Sequence, residues 1–325
     1  RLNSSAASDV YKRQSPHRAF VYDQVVSFGE LLSTSIICAY LNHVGIAAEW
    51  VDARSCIKTD NFYRSAHLNW EQTQSAIQDQ IQGNVLKVTQ GFIASDMNNF
   101  TTTLGREGSD YTAAIFAYCL GATDVTIWKD VQGVLNADPR VFDKTQLLEH
   151  ISYQEAIELA FYGASVIHPK TLQPLQRKEI PLYVKSFLNP KQKGTKVGKG
   201  VPMQPEIPCY IVKKGLSLLR LSTRDFSFVV EDNISDIFKL LHEHKMSVDV
   251  IQNSAISFSV CVEDTYHKMD ALLLALRSRF DVKHTPDVSL YTIRHFEENS
   301  ANTLLSTHDL VLEQRTATTL QLVLK

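Results

Sequence analysis

One loop constrains this chain more than any other stretch. Thr101-Thr102-Thr103-Leu104-Gly105-Arg106-Glu107-Gly108-Ser109-Asp110 follows an apolar run, Val85 to Ile93, and leads into Ser109 to Leu120, which Gly121 closes. The run predicts a buried strand and the segment after the loop predicts a helix. Such a loop brings hydroxyls, glycines and an arginine to a helix N-terminus, where free N–H groups and the positive end of the dipole favour an anion. Arg106 adds a planar cation, and Asp110 a carboxylate in the first turn. The pattern suits phosphate or carboxylate oxygens. A polar loop with Ser109 as N-cap is the plainer alternative, and the flanking elements decide between the two.

Val125 to Trp128 reads as a second strand. The loop therefore sits in a strand–helix–strand unit whose short crossover implies parallel pairing and a right-handed connection. Ligands of such sheets lie at the carboxyl ends of strands, where the loop and Lys129-Asp130 both fall. The charged, turn-rich segment from Lys129 through Leu135 to Asp138-Pro139-Arg140 is either a solvated loop or a nucleotide-binding loop with Arg140 on phosphate oxygens. Upstream, Ser27-Phe28-Gly29-Glu30 opens a helix to about Asn42, with Leu31, Leu32, Ile36, Ile37, Tyr40 and Leu41 on one apolar face. Glu30, in its first turn, either complements the dipole or faces a site. Ile46–Val51 predicts a strand and Glu71–Ile81 an exposed helix. Ser152-Tyr153-Gln154-Glu155 is a capping box, Pro169 suits the first position of a helix, and Pro181–Phe187 predicts a strand.

Beyond Phe187 the composition shifts. Asn189 to Pro202 is rich in Lys, Gly and Pro and predicts a linker. Short strands then alternate with single helices. Strands are expected at Leu216–Leu221, Phe226–Val230, Val248–Ile251, Ile256–Val262, Leu290–Ile293, Val311–Gln314 and Leu320–Leu324. Helices are expected from Asn233, over Tyr266–Phe280 and around Ser300–Leu305. Two β-α-β-β units in tandem suit a regulatory half that binds a small effector and pairs edge strands with a partner chain. Residues Arg1 to about Gln14 are polar and without period, and predict a disordered or non-native leader.

A net charge of −2 gives no basic surplus for nucleic acid, and no uninterrupted apolar run is long enough to span a bilayer. The five cysteines are scattered without C-x-x-C spacing, which suits a reducing cytosol and argues against a disulfide framework or zinc site. Eleven histidines form no H-x-x-x-H cluster, so no metal held by protein ligands alone is expected.

The run Val26-Ser27-Phe28-Gly29-Glu30, the loop Thr101–Asp110, Trp128-Lys129-Asp130-Val131-Gln132-Gly133, Asp138-Pro139-Arg140 and Ile167-His168-Pro169 follow one another in an order that resembles aspartate kinases. The tail, including Ser247-Val248-Asp249, resembles their paired ACT domains. The resemblance implies an α/β fold: a three-layer α/β/α amino-acid-kinase domain over residues 19–200, incomplete at its N-terminus, then a tandem α+β ACT region over 201–325, with 1–18 as a leader. It implies transfer of the ATP γ-phosphoryl group to the side-chain carboxylate of L-aspartate, with Mg²⁺ arriving on ATP. Carried over by position, Glu30, Phe92, Arg106, Ser109 and Asp110 would form the aspartate site, with Arg106 and Asp110 catalytic. Lys129, Asp130, Leu135 and Arg140 would lie around ATP. Ser247, Asp249, Asn253 and Ser254 would bind an amino-acid effector, lysine by preference, between two chains of a homodimer or larger assembly in the cytoplasm.

The family's Lys-Phe-Gly-Gly loop, whose lysine neutralises the transferring phosphoryl group, does not occur in these residues. A sheet without that strand would expose edges and apolar surface, and the chain alone is expected to be inactive. Glu107 replaces a common glycine, Gln132 a common proline and Ser165 a lysine that contacts nucleotide; Lys129 or Lys170 would supply the charge. A non-catalytic amino-acid-binding regulatory subunit is the alternative from another class.

Overall fold

The computed structural model describes residues 18–164, 166–200, 202–224 and 227–325. The expected leader lies outside them apart from Arg18, and so does Ser165. The chain divides into two compact units. One comprises residues 18–133, 149–157 and 166–200; the other comprises 134–148, 158–164 and the described residues from 202 to 325.

The first unit opens with helix α1 (Arg18–His43), which begins nine residues before the expected Ser27. Tertiary hydrogen bonds hold the added turns. Buried Asp23 accepts from Thr103 N, Thr103 Oγ1 and Arg64 N, each at 2.9 Å. Gln24 exchanges hydrogen bonds with the Thr101 backbone at 2.7 and 3.2 Å. Glu30 consequently sits in mid-helix, away from the dipole end, which corrects its expected first-turn role. The expected apolar face is also corrected, since Leu32, Ile36, Ile37 and Tyr40 are all more than half exposed. By length and composition α1 could cross a bilayer. Its polar contacts tie it to the protein instead: Thr34 Oγ1 accepts from Trp50 Nε1 and Gln90 Nε2, and Asn42 bonds the Ala48 backbone.

The expected buried strand Val85–Ile93 is two short strands. β1 (Ala48–Val51) pairs in parallel with β2 (Leu86–Thr89), and β3 (Ile93–Ser95) forms a hairpin with β4 (Thr101–Thr103). The break falls at Gly91 and Phe92, the latter at φ 71°. The three threonines of the anticipated loop are thus a buried strand. Helices α2 (Ala53–Cys56) and α3 (Trp70–Gln80) pack with β3 and helix α4 (Gly108–Leu120) around Cys56, Ile57, Ile77, Ala94, Leu104 and Ile115. Gly121 closes α4 at φ 63°, as expected.

A second sheet runs β5 (Val125–Lys129), β7 (Leu182–Ser186), β8 (Thr195–Gly198), β6 (His150–Ser152). β8 occupies the expected linker, and its pairing with β6 and β7 makes it part of the fold. The expected pairing of the strand before α4 with Val125–Trp128 is absent. Among the described residues β2 pairs only with β1 and β5 only with β7, leaving one parallel edge open on each. Ser152 Oγ accepts from Glu155 N at the start of helix α5 (Tyr153–Tyr162), and Pro169 begins helix α6 (Pro169–Arg177).

The second unit holds a six-stranded sheet, β10-β11-β9-β12-β14-β13. Within it β9 (Cys209–Ser222), helix α7 (Glu231–Glu243), β10 (Ser247–Asn253), β11 (Ser257–Glu263), helix α8 (Met269–Arg277) and β12 (Asp281–Arg294) form one complete βαββαβ unit. Its core packs Leu219, Leu221, Ile237, Leu241, Phe258, Val260, Leu272 and Leu276 together. Helix α9 (Asn302–Thr307), β13 (Leu310–Arg315) and β14 (Thr319–Leu324) extend the sheet through β12. The second unit of the expected pair therefore shares its long strands with the first. The expected strand Phe226–Val230 is not formed over its described residues 227–230.

Candidate active site

The site grows from the turn at residues 90–92 and the start of α4. A Cβ on Gly91 would stand 2.8 Å from Ser109 Cα, and one on Gly108 would stand 2.8 Å from Phe92 Cδ2. Both positions need glycine because the turn is pressed onto the helix N-terminus. Phe92 N donates to Thr112 Oγ1 at 3.0 Å, and Leu104 N to Phe92 O at 2.9 Å. These contacts place Phe92 beside Ser109; Gly108 N donates to Gly105 O at 3.1 Å, and the exposed Ser109 follows it in the first turn of α4.

Arg106 projects from the loop and is exposed, as is Ser109, whereas Asp110 is half-buried. Lys129, at the carboxyl end of β5, places Nζ 2.9 Å from Asp110 Oδ2. That oxygen is buried and has no hydrogen bond of good geometry, so the contact is an ion pair off the lone-pair direction. Phe92, Arg106, Ser109, Asp110 and Lys129 thus belong to one neighbourhood around the α4 N-terminus. Asp130 follows Lys129 and is exposed. Glu30 lies in mid-α1, roughly 9 Å along the helix from Gln24, the residue that binds Thr101. Leu135 and Arg140 belong to the second unit. There Leu135 bridges to Leu147, and the exposed Arg140 is bound by Asp138 through Nε and Nη2 at 3.0 and 2.7 Å.

Two residues carry electrostatic weight that the sequence reading assigned to neither. His168, the N-cap of α6, accepts from Lys170 N through Nδ1 at 3.2 Å. Burial holds its pKa below the usual value; Lys170 and Arg106 push the same way and Glu107 opposes them. The Ile167-His168-Pro169 pattern was its signal: a polar residue just before a proline that starts a helix. Glu107 stands in the left-handed region, φ 53° and ψ 32°, with Oε2 buried and without a hydrogen bond. A non-glycine residue between Gly105 and Gly108 was the only sign of it.

The amino acid kinase family model matches residues 2–186, more than half of the chain. The chain belongs to the amino acid kinase family. It is 35% identical over 246 residues to the lysine-sensitive aspartokinase 3 of Escherichia coli, covering 75% of this chain and 55% of that protein. It is 36% identical over 251 residues to the chloroplastic aspartokinase 1 of Arabidopsis thaliana, covering 74% and 43%. The chain thus spans about half the length of the curated relatives it matches. The crystal structure of E. coli aspartokinase III with lysine and aspartate superposes with a TM-score of 0.76 at 29% identity, over 94% of this chain and 72% of that one. The Clostridium acetobutylicum aspartate kinase structure gives 0.78 at 23%, over 92% and 71%, a likeness of fold. The mixed α/β architecture is that of the amino acid kinases.

In the second unit of this kinase-family chain, β10 carries Ser247, Asp249 and Asn253, and Ser254 follows it. Ser247, Asn253 and Ser254 are exposed, while the Asp249 side chain keeps only 6% of its surface. Strand geometry sets Asp249 and Asn253 about 13 Å apart. Ser254 Oγ lies 2.8 Å from Ser257 Oγ.

Proposed function

We propose that the chain is an aspartate kinase, transferring the ATP γ-phosphoryl group to the β-carboxylate of L-aspartate. The observation that supports it best is the corner formed by Gly91, Phe92 and Gly108, with Arg106 and the Lys129–Asp110 pair around one helix N-terminus. Arg106 is exposed and suited to a bidentate grip on a substrate carboxylate. The N–H groups of α4 face developing negative charge, and the Lys129 ammonium sits close enough to share it. In the reaction a carboxylate oxygen of aspartate bonds to the γ-phosphorus as the bond to the ADP oxygen breaks, so the residues position and neutralise. Mg²⁺ bound with ATP would supply further charge neutralisation on the phosphates. Asp110 would help to hold that ion, because its Oδ2 is buried and lacks a well-directed donor. Glu30 would face the substrate amino group, and Asp130, Leu135 and Arg140 the nucleotide.

The βαββαβ unit and its extension are read as ACT-type modules that bind an amino-acid effector, lysine by preference, at Ser247, Asp249, Asn253 and Ser254. The 13 Å between Asp249 and Asn253 supports a site completed by a second copy, so that a homodimer or larger assembly is the working form. Five buried free thiols suit a reducing compartment such as the cytoplasm.

The decisive assay is hydroxylamine-trapped acyl phosphate from L-aspartate and ATP. It is run on the chain alone and on the chain joined to a segment bearing a Lys-Phe-Gly-Gly loop, each with and without lysine. Activity only with the segment is the expected result. Activity in neither points to an amino-acid-binding regulatory subunit, and activity in both shows that the lysine loop is dispensable.

A further inference from the structure

Asp249 is partnered in an unusual way. Lys213 Nζ donates to its Oδ1 at 2.5 Å, while Oδ2 is buried and accepts no hydrogen bond. Two backbone irregularities bring the pair together. The register of β10 against β11 slips between Val248 and Val250, which makes Asp249 the extra residue of a bulge. A bulge re-aims its side chain out of the strand's alternation. In β9, Gly215 at φ 71° and a register slip opposite Thr285–Val288 bend the strand two residues beyond Lys213. β9 and β10 flank β11, so roughly two strand spacings, about 9–10 Å, separate them. The pairing of β9 with β11 ends at Ser217–Val262, so Lys213 lies past the last shared rung and its side chain crosses to Asp249 there. The stem also runs over a bare position: a Cβ on Gly163 would meet Lys213 Cε at 3.0 Å. Nearly a third of the Lys213 side chain remains exposed, which leaves it a way out to solvent.

We propose that Lys213 is a tethered ammonium occupying the carboxylate that a free amino-acid ammonium would otherwise bind, so that the effector enters by displacing it. This rests on the reading of Asp249 as an effector contact. The ligand class follows from the chemistry. Asp249 offers a nearly dry carboxylate with one oxygen satisfied by a primary amine and the other unfilled, and a primary ammonium is the group that could take both. A tethered competitor acts at an effective concentration of order millimolar or more. Free effector therefore binds with an affinity reduced by the fraction of molecules in which the internal pair is open. Displacement also moves the Lys213 stem off Gly163, which gives the ligand a mechanical consequence beyond its own contacts.

The test is binding of L-lysine to the whole chain by isothermal titration, for wild type, Lys213→Met, Lys213→Arg and Asp249→Asn. Lys213→Met should bind at least about tenfold more tightly than wild type, Lys213→Arg no more tightly, and Asp249→Asn not measurably. Equal or weaker binding by Lys213→Met, with Asp249→Asn still defective, overturns displacement but leaves Asp249 as an effector contact. Binding that Asp249→Asn does not alter, or no binding by any form, overturns both. If Lys213→Met does not fold, the wild type carries the test through its ¹⁵Nζ-lysine spectrum, with Lys213→Arg assigning the signal. Saturating L-lysine must abolish the protected Lys213 ammonium resonance. Its persistence refutes the proposal.

Discussion

Glu107→Gly should stabilise the chain, against the usual direction of a change to glycine. Glu107 sits at φ 53° and ψ 32°, a left-handed conformation that costs an L-residue roughly 1–2 kcal/mol. Its Oε2 is buried without a hydrogen bond, a state that costs about 1–3 kcal/mol. Against these stands the extra freedom of glycine in the unfolded chain, about 0.5–1 kcal/mol. The balance is about 2 kcal/mol in favour of glycine. For a unit of this size that corresponds to a rise in Tm of roughly 4–8 °C. Differential scanning fluorimetry reads it directly, and Glu107→Ala separates the causes because alanine removes the carboxylate but keeps the strain. Alanine should recover part of the gain and glycine the whole. A Glu107→Gly chain that melts at or below the wild-type temperature refutes the account of this corner.

Four further outcomes follow from the same geometry. His168 is held below its usual pKa of 6.5, so the unfolded chain takes up the proton first; stability should be flat above about pH 6.5 and fall below it. His168→Asn keeps the cap and should reduce that slope in urea titrations from pH 7 to 5, to which His284, held down in the same way, adds a parallel contribution. Gly91→Ala should lower stability by about 1–3 kcal/mol and more than Gly108→Ala, because the first meets the Ser109 backbone at 2.8 Å and the second meets a movable phenyl edge at 2.8 Å and backbone only at 3.2 Å; chemical denaturation compares them. Ile36→Lys with Ile37→Glu, on the exposed face of α1, should reduce 1-anilinonaphthalene-8-sulfonate binding while changing stability by no more than about 0.5 kcal/mol. Native chain at pH 8 should show no rapid reaction with a thiol reagent, since all five cysteines are buried and burial pushes Cys261 up to about 12.

What the sequence revealed and what it hid divide along one physical line. Gly121 as the terminator of α4, Pro169 at the start of α6 and Ser152 capping α5 were legible because each is decided within a turn of chain. The alternating Ile256–Val262 stretch became β11 for the same reason. The added turns of α1 were not legible. They depend on Asp23 and Gln24 finding Thr103 and Thr101, nearly eighty positions away. Thr101–Thr103 read as a loop because hydroxyl-rich segments resemble turns. The structure buries all three threonines in a strand instead, and Thr101 and Thr103 bond to α1. In the candidate site, residue types alone single out Arg106 and Asp110. The pairing of Asp110 with Lys129 joins a helix start to a strand end, and only the fold reveals that.

The open edges of β2 and β5 and the exposed face of α1 are best understood as one feature. Parallel strands are normally paired on both edges and covered on both faces. Yet β1 and β2 form a lone parallel pair, and Trp50, Val85 and Leu86 remain more than a third exposed. Leu32, Ile36, Ile37 and Tyr40 add apolar surface on the helix tied to that same pair through Trp50 and Gln90. Scattered exposed leucines or isoleucines would need no explanation. Here the exposed residues lie on one helix and on the strands it is tied to, beside the unpaired edge of β2. Both the apolar surface and that edge call for a cover. A segment joined to the chain should therefore raise its melting temperature by covering this surface even if it carries no catalytic lysine. A lysine-to-alanine version of the Lys-Phe-Gly-Gly segment would separate the two effects: the same gain in Tm, without the acyl phosphate. If the alanine version gives no gain in Tm, the exposed surface is not a seat for that segment, and the open edges need a different cover.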